Sequence, residues 1–265
     1  MSVVVSRIVL KSAREIELMR AAGRIVLEVL QALESRVRPG TTTAELNEVA
    51  SRMIDEAGAT ALFRGVKNPQ ARFPFPGSIC SSVNEEVVHG IPNDRPLQDG
   101  DIVSVDCGVR LRGYCGDSAR TLVVGEASPA VQRLLDVTRE ALSIALREMR
   151  PHCRWSTIAR KMQVWVEKHG YGVVREFVGH GIGREMHEEP KVPNFVERGR
   201  SKSDFELVPG MTLAVEPMVT AGRPEVEFGD NSRWPVVTKD RMWAAHFEHT
   251  VAVTEGGLDI LTAES

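Results

Sequence analysis

The chain has 265 residues, 42% hydrophobic and 26% charged, the composition of an ordinary globular protein with room for one large core or two fused halves. A net charge of -3 and an isoelectric point near 6.2, with no dense Lys/Arg run, argue against specific nucleic acid or an anionic membrane as the main partner. No apolar run approaches the roughly 20 residues a bilayer requires, and MSVVVSRIVL is broken at Arg7 and offers no small-residue cleavage site, so a cytoplasmic location is expected.

In chain order, Ser12-Ala-Arg-Glu15 reads as a capping box opening a helix through Ile16, Met19, Val26, Leu30 and Leu33 that ends near Ser35. Arg38-Pro39-Gly40 breaks the chain. Thr42-x-x-Glu45 caps a second helix with Leu46, Val49, Met53 and Ile54, stopped by Gly58. The same plan returns from Ser128-Pro129, an N-cap followed by proline at the first helical position, through Val131, Leu134, Leu135, Ala141 and Leu146 to the break at Arg150-Pro151. A last helix through Ile158, Met162 and Val166 ends at Gly170. Pro39 to Gly58 and Pro151 to Gly170 are both 19 residues, which is the signature of a duplicated helix-break-helix unit.

Past the helices the recurrence continues. His89-Gly-Ile follows the first pair and His180-Gly-Ile the second, so the two tripeptides are expected to be mates. LQDGDIVSVD, a turn and then a strand ending in Asp106, is answered by LVPGMTLAVE, ending in Glu216. GDSARTLVVGE and FEHTVAVTEGG place Asp117 and Glu248 at the starts of strands. The expected domain is therefore a single one, residues 1–265, built of halves at about 12–125 and 126–257. About 21 extra residues before His89, and about 21 between Glu216 and Glu248, read as loops or hairpins. The basic run Arg198-Gly-Arg-Ser-Lys202 reads as solvated loop. Cys80, Cys107, Cys115 and Cys153 form no C-x-x-C and are expected to be reduced.

Folded about a pseudo-twofold, the halves would bring Asp106 against Glu216 and Asp117 against Glu248 at a buried seam. Four carboxylates there cannot all ionise unaided, because burial and mutual repulsion both raise their pKa. Two divalent cations bring +4 against -4, and the imidazole of His180 completes an oxygen-rich set with one nitrogen, suited to Mn, Fe, Co or Zn in a two-metal hydrolytic site. Taken alone, an acid at a strand end is more often a turn residue; the symmetric set is what carries the reading.

VNEEVVHGIP, DIVSVDCGV with GYCGDSART, GHGIGREMHEEP, LAVEPM and FEHTVAVTEGG, in that order, resemble the type I methionine aminopeptidases over essentially the whole chain. The resemblance implies the pita-bread fold, an α/β (α+β) arrangement of antiparallel sheet flanked by two helix pairs. It also implies removal of the initiator methionine from nascent polypeptide N-termini when the second residue is small. It assigns Asp106, Asp117, His180, Glu216 and Glu248 to two metal ions, with Asp117 and Glu248 shared between them, and Glu216 also to proton transfer. His89 and His187 become catalytic substrate contacts, and Phe75, Cys80 and Trp234 line a methionine pocket soft enough for a thioether.

ARFPFPGSIC carries Phe73 and Phe75 after a longer loop where that family commonly has tyrosines, so a differently shaped rim is expected; Cys115 and Glu86 also depart from its usual residues. The 29 residues from His187 to Glu216 leave no space for the helical insertion of type II enzymes. A monomer is expected, with transient ribosome association as a further partner. The rival readings are a prolidase or aminopeptidase P, which share the metal motifs and normally carry an added N-terminal domain, and a binding protein on the same fold that has lost its ligands. All five ligand positions are filled, which argues against the second.

Overall fold

A computed structural model describes residues 8–196 and 204–264; the Arg198–Lys202 run and most of the MSVVVSRIVL segment lie outside them. The first part of the chain forms α1 (Ala13–Glu34), α2 (Thr43–Glu56), β1 (Thr60–Ala61), β2 (Cys80–Val83), β3 (Glu86–Val88), β4 (Ile102–Leu111) and β5 (Tyr114–Val123). The second forms α3 (Pro129–Glu148), α4 (Trp155–Lys168), β6 (Gly172–Val173), β7 (Gly179–Gly181), β8 (Glu188–Val192), β9 (Thr212–Val215), β10 (Met218–Thr220), β11 (Val226–Phe228), β12 (Val236–Thr238), β13 (Ala244–His246), β14 (His249–Thr254) and β15 (Gly257–Ile260). Every strand pair described is antiparallel.

The helix ends follow from local chemistry. Ser12 and Glu15 exchange side-chain and backbone hydrogen bonds, as do Thr42 and Glu45, so both expected capping boxes form. Ser128 Oγ accepts from the Val131 N–H, with Pro129 in the first turn. Arg154, before α4, supplies no side-chain cap; Asp204 reaches in from afar and accepts from the Ser156 N–H at 2.9 Å. The duplication is also written in the backbone. Gly40 and His152, each following the proline that breaks a helix pair, have φ of 90° and 68°, and Gly100 and Gly210, each six residues before an acid, have 88° and 92°.

Each helix pair has its own core. Leu30, Leu33, Leu46 and Ile54 pack with Val103, Val105 and Val109 of β4 in the first; Leu134, Leu135, Ile158 and Met162 pack with Leu213, Val215 and Val251 in the second. Burying each such side chain contributes about 1.5–3 kcal/mol. Helix α1 lies directly on β5 because Gly23 faces Gly116: a Cβ on Gly116 would sit 2.7 Å from the Gly23 nitrogen, so any larger residue would lift the helix off the strand.

Three expectations are corrected by the strand register. Asp106 does not end its strand and Asp117 does not begin one, because β4 and β5 form an unbroken ten-residue hairpin closed at Arg112-Gly113, both with positive φ. In the second half the corresponding hairpin is interrupted. Pro217 has no N–H to continue the ladder, and β9 gives way to β10 across Glu216-Pro217 while β13 gives way to β14 across Phe247-Glu248. The His-Gly-Ile tripeptides are not mates either. His180 pairs with Ala214 on β9, and at the equivalent place on β4 Ser104 pairs with Ser82, so the counterpart of His180 is Ser82. Finally, Asp117 sits opposite Gly108 and His246 opposite Met218, at equivalent rungs, which makes His246 and not Glu248 the mate of Asp117.

Hydroxyls join the two hairpins across the seam and repeat that register. Thr250 Oγ1 accepts from the Asp117 N–H at 3.0 Å and donates to its carbonyl at 2.7 Å; Thr121 Oγ1 does the same to His246, at 2.8 and 2.9 Å. Ser118 Oγ donates to the Glu248 carbonyl at 2.5 Å, and the Glu248 N–H donates to the Ala119 carbonyl at 3.0 Å. The extra residues of the second half include the β11–β12 hairpin, and β12 pairs with β3 so that Val236 faces Val88, the residue before His89.

Candidate metal centre

The seam is the floor of a cavity of about 550 Å³. Asp106 projects from mid-β4, Asp117 from β5, His180 from β7, and Glu216 and Glu248 from the two breaks in the second hairpin; all five line the cavity, as do His89 and His187. Ligand atoms of Asp117, His180 and Glu248 lie within 4.8 Å of one another. Glu216 Oε1 is 3.6 Å from His180 Nε2, and Asp117 Oδ2 is 4.0 Å from the same nitrogen.

His180 can only be held this way because its neighbours are glycines. A Cβ at Gly179 would come within 2.3 Å of the Ala214 carbonyl oxygen and one at Gly181 within 2.2 Å of the Glu189 carbonyl oxygen, so β7 fits between β8 and β9 with the imidazole as its one side chain. His180 Nδ1 is 2.9 Å from the Gly181 carbonyl oxygen, an acceptor, which fixes the proton on Nδ1 and leaves the Nε2 lone pair directed at the acids.

The acids are in the electrostatic conflict the sequence implies. Burial above all pushes the Asp106 carboxyl up from 3.8 to about 7. Asp117 is raised well above its ordinary value by burial and then by Asp106 and Glu216; Glu248 is raised well above its own by burial and then by Asp117. Asp106 Oδ1, Asp117 Oδ1 and Glu248 Oε1 are buried and have no hydrogen-bond partner among the described residues. Partnerless buried oxygens beside an unprotonated imidazole nitrogen are what divalent cations satisfy, so the donor set fits a metal. The thiols do not compete. Burial and the neighbouring acids raise Cys80 and Cys107 well above the ordinary range, keeping both protonated.

The two other histidines line the cavity as neutral rings. Burial lowers the His89 pKa to about 4, and burial followed by the nearby His180 lowers that of His187. The His187 ring lies 4.3 Å from the His180 ring, tilted 55° to it; His89, in left-handed backbone at φ 61°, packs edge-on to Phe177 and Trp234.

Phe75, Cys80 and Trp234 do come together, in one cluster with Phe63 and against Met186, and Phe75 meets the Trp234 edge at 5.1 Å. Cys80 pairs with Asp106 across the β2–β4 ladder, so pocket and acids share a rung. Phe73 is exposed and contributes its carbonyl, which accepts from Trp234 Nε1–H at 2.8 Å. Cys115 is buried with its thiol on the Arg184 carbonyl, and Glu86 accepts from the Val83 N–H. Sequence reasoning missed Phe63 and Met186 in the pocket and missed His246. A histidine two residues before Glu248 on an otherwise apolar strand was the available signal.

A family model described as metallopeptidase family M24 matches residues 17–255. Methionine aminopeptidase 1 of Bacillus subtilis is 48% identical over 256 residues, covering 96% of this chain and 99% of that one. The crystal structure of methionine aminopeptidase from Rickettsia prowazekii superposes with a TM-score of 0.90 at 37% identity, covering 97% of this chain and all of that one. The Xaa-Pro dipeptidase of Bacillus anthracis shares the fold at a TM-score of 0.74, with 23% identity and 62% of its length covered.

Proposed function

The chain belongs to metallopeptidase family M24, within its methionine aminopeptidases, and on that premise we propose that it removes the initiator methionine from nascent polypeptides whose second residue is small. The carrying observation is the convergence of three partnerless buried carboxylate oxygens and a free imidazole nitrogen on a cavity whose other wall is the Phe75–Cys80–Trp234 cluster.

In this reading Asp106, Asp117, His180, Glu216 and Glu248 would hold two divalent ions, Mn, Fe, Co or Zn. When bound, the ions supply the positive charge that offsets the clustered acids, polarises the scissile carbonyl and makes a water nucleophilic near neutral pH. Glu216 carries a proton from the attacking water to the leaving amine. His187, kept neutral by burial, donates an N–H to the carbonyl oxygen as negative charge develops there. His89 orients the scissile amide. Phe75, Cys80 and Trp234 seat the methionine side chain and exclude water, while the acids receive the free α-amine, which restricts cleavage to the first bond. The protein acts in the cytoplasm as a monomer, meeting its substrates at the ribosome through transient association. Among the described residues no helix is long and apolar enough to cross a membrane.

The test is metal reconstitution of chelated protein with each ion, assayed on Met-Ala-Ser beside Met-Gly and Met-Arg peptides and an Xaa-Pro dipeptide. Met-Ala-Ser and Met-Gly should be cleaved and the other two spared. Equal cleavage of Met-Gly and Met-Arg, preference for Xaa-Pro, or full turnover after exhaustive chelation would overturn the reading.

A further inference from the structure

One imidazole at the seam has no task in this chemistry. His246 ends β13, is 2% exposed, and its Nε2 is buried without a hydrogen-bond partner among the described residues. That nitrogen lies 3.4 Å from Glu216 Oε2. Its backbone is fixed at both N–H and carbonyl by the Thr121 hydroxyl, the same double contact that Thr250 makes with Asp117 at the equivalent rung. The His246 backbone is therefore held at the seam by the same contacts that hold the backbone of Asp117.

The two oxygens of Glu216 face two imidazoles of opposite character. Oε1 faces His180 Nε2, whose proton is on the other nitrogen, so that nitrogen is a lone pair and gives Oε1 nothing to accept. Oε2 faces His246 Nε2, which in its Nε2–H tautomer is a donor to a carboxylate oxygen with no other hydrogen-bond partner among the described residues. Glu216 stands in a break between strands, where the ladder does not set its direction.

We propose that His246 is a positioning residue for Glu216: its Nε2–H donates to Oε2 and sets the rotation of the carboxylate, so that Oε1 is presented to the centre that His180 Nε2 also faces. A separation of 3.4 Å needs to close by only a few tenths of an ångström to reach the usual range, roughly 2.7–3.2 Å. Outer-shell donors of this kind typically change metal affinity or activity by about 10–100-fold. The inference rests on Glu216 being a ligand and proton carrier.

The experiment compares His246→Leu with His246→Gln, whose side-chain amide can place an N–H near the Nε2 position, in the full chain. Mn²⁺ binding is followed by isothermal titration, the Co²⁺-substituted protein by its visible absorption, and Met-Ala-Ser cleavage as separate kcat and KM. In His246→Leu, metal affinity and kcat should each fall about 10–100-fold with KM little changed, and the Co²⁺ bands should shift. His246→Gln should recover most of both. A folded leucine variant with wild-type Mn²⁺ affinity and Co²⁺ spectrum, or a folded glutamine variant no better than leucine, would overturn the proposal. So would wild-type Mn²⁺ magnetic resonance showing two directly coordinated imidazole nitrogens where the glutamine variant shows one, since His246 would then be a ligand. If the leucine variant fails to fold, His246→Asn, whose shorter amide falls short of Oε2, replaces it against His246→Gln, with the same two outcomes. Glu216→Gln is run in parallel. If it leaves affinity and turnover intact, the reading of Glu216 fails; if it lowers both while His246→Leu lowers neither, only the role of His246 fails.

Discussion

The two long hairpins of the molecule have one register and two finishes. The first, β4–β5, runs ten residues a side without interruption and carries Asp106 and Asp117 as ordinary inward-facing strand residues. The second is broken at Glu216-Pro217 and Phe247-Glu248, and both its acids stand in the break. Asp106 and Glu216 therefore occupy equivalent places, whereas Glu248 lies two residues past the position of Asp117, which in this hairpin holds His246. A duplicated scaffold has supplied matching rungs, and a local loss of ladder in one copy has let a carboxylate enter from a different one.

The largest effect should separate the two histidines that share a motif on the broken side. His180→Ala removes the nitrogen that faces Asp117 and Glu216, so Mn²⁺ affinity and activity should fall together, each by more than the roughly 10–100-fold expected of an outer-shell group. His187→Ala should lower kcat by about 10²–10⁴-fold and leave metal titration unchanged, as expected of a proton donor. Equal loss of metal in both would erase the division between ligand and catalyst.

Metal removal tests whether acids from the two hairpins share one electrostatic problem. In the chelated protein Asp106 is raised from 3.8 to about 7, and Asp117 and Glu248 are raised well above their ordinary values. Between about pH 4 and 7 the folded state then binds more protons than the unfolded one, so stability must fall as pH rises through that window. Urea unfolding of chelated protein at pH 5 and pH 7 should show the drop, and saturating Mn²⁺ should flatten it.

A smaller effect is expected from the hydroxyl contacts. Thr121→Val and Thr250→Val each strand a buried N–H and carbonyl, and each should cost about 2–4 kcal/mol in urea unfolding. Thr121 Oγ1 also lies 2.8 Å from the buried Ser104 hydroxyl, where the other hairpin has Ala214, so Thr121→Val should cost the more, and equal costs would show that this hydroxyl pair adds nothing to the seam. Smallest is the cap of α4. Asp204→Ala should cost about 1 kcal/mol, comparable with Glu45→Ala at the start of α2. Thermal melts of both variants give the comparison.

That last pair also shows what a sequence can disclose. Ser12-x-x-Glu15 and Thr42-x-x-Glu45 were legible because donor and acceptor lie three residues apart, and the helices they open end as expected at Ser35 and just before Gly58. The cap of α4 comes from Asp204, 48 positions away, and no local pattern announces it. The motifs pointed to Asp106, Asp117, His180, Glu216 and Glu248, and all five line the cavity. Register was not legible: alternation shows which face a side chain takes and says nothing of the rung opposite, so the repeated His-Gly-Ile invited a pairing that the ladder gives to Ser82. Strand length failed for a related reason. Cys107-Gly-Val continues an apolar run past Asp106, and only the turn at Arg112-Gly113 shows where it stops. His246 was passed over because a single histidine among alanines resembles core.

The rung that joins Cys80 to Asp106 sets limits on how this protein could acquire a new selectivity. A larger or smaller side chain at Cys80 pushes on the very strand whose next contact is a centre carboxylate, so a change in what the pocket admits there would come with a change in the chemistry. Trp234 reaches the same pocket from the inserted hairpin and Phe63 from the loop after β1, neither sharing a rung with an acid. Trp234 also packs on His89, however, so of the two Phe63 offers variation in substrate preference the freer course.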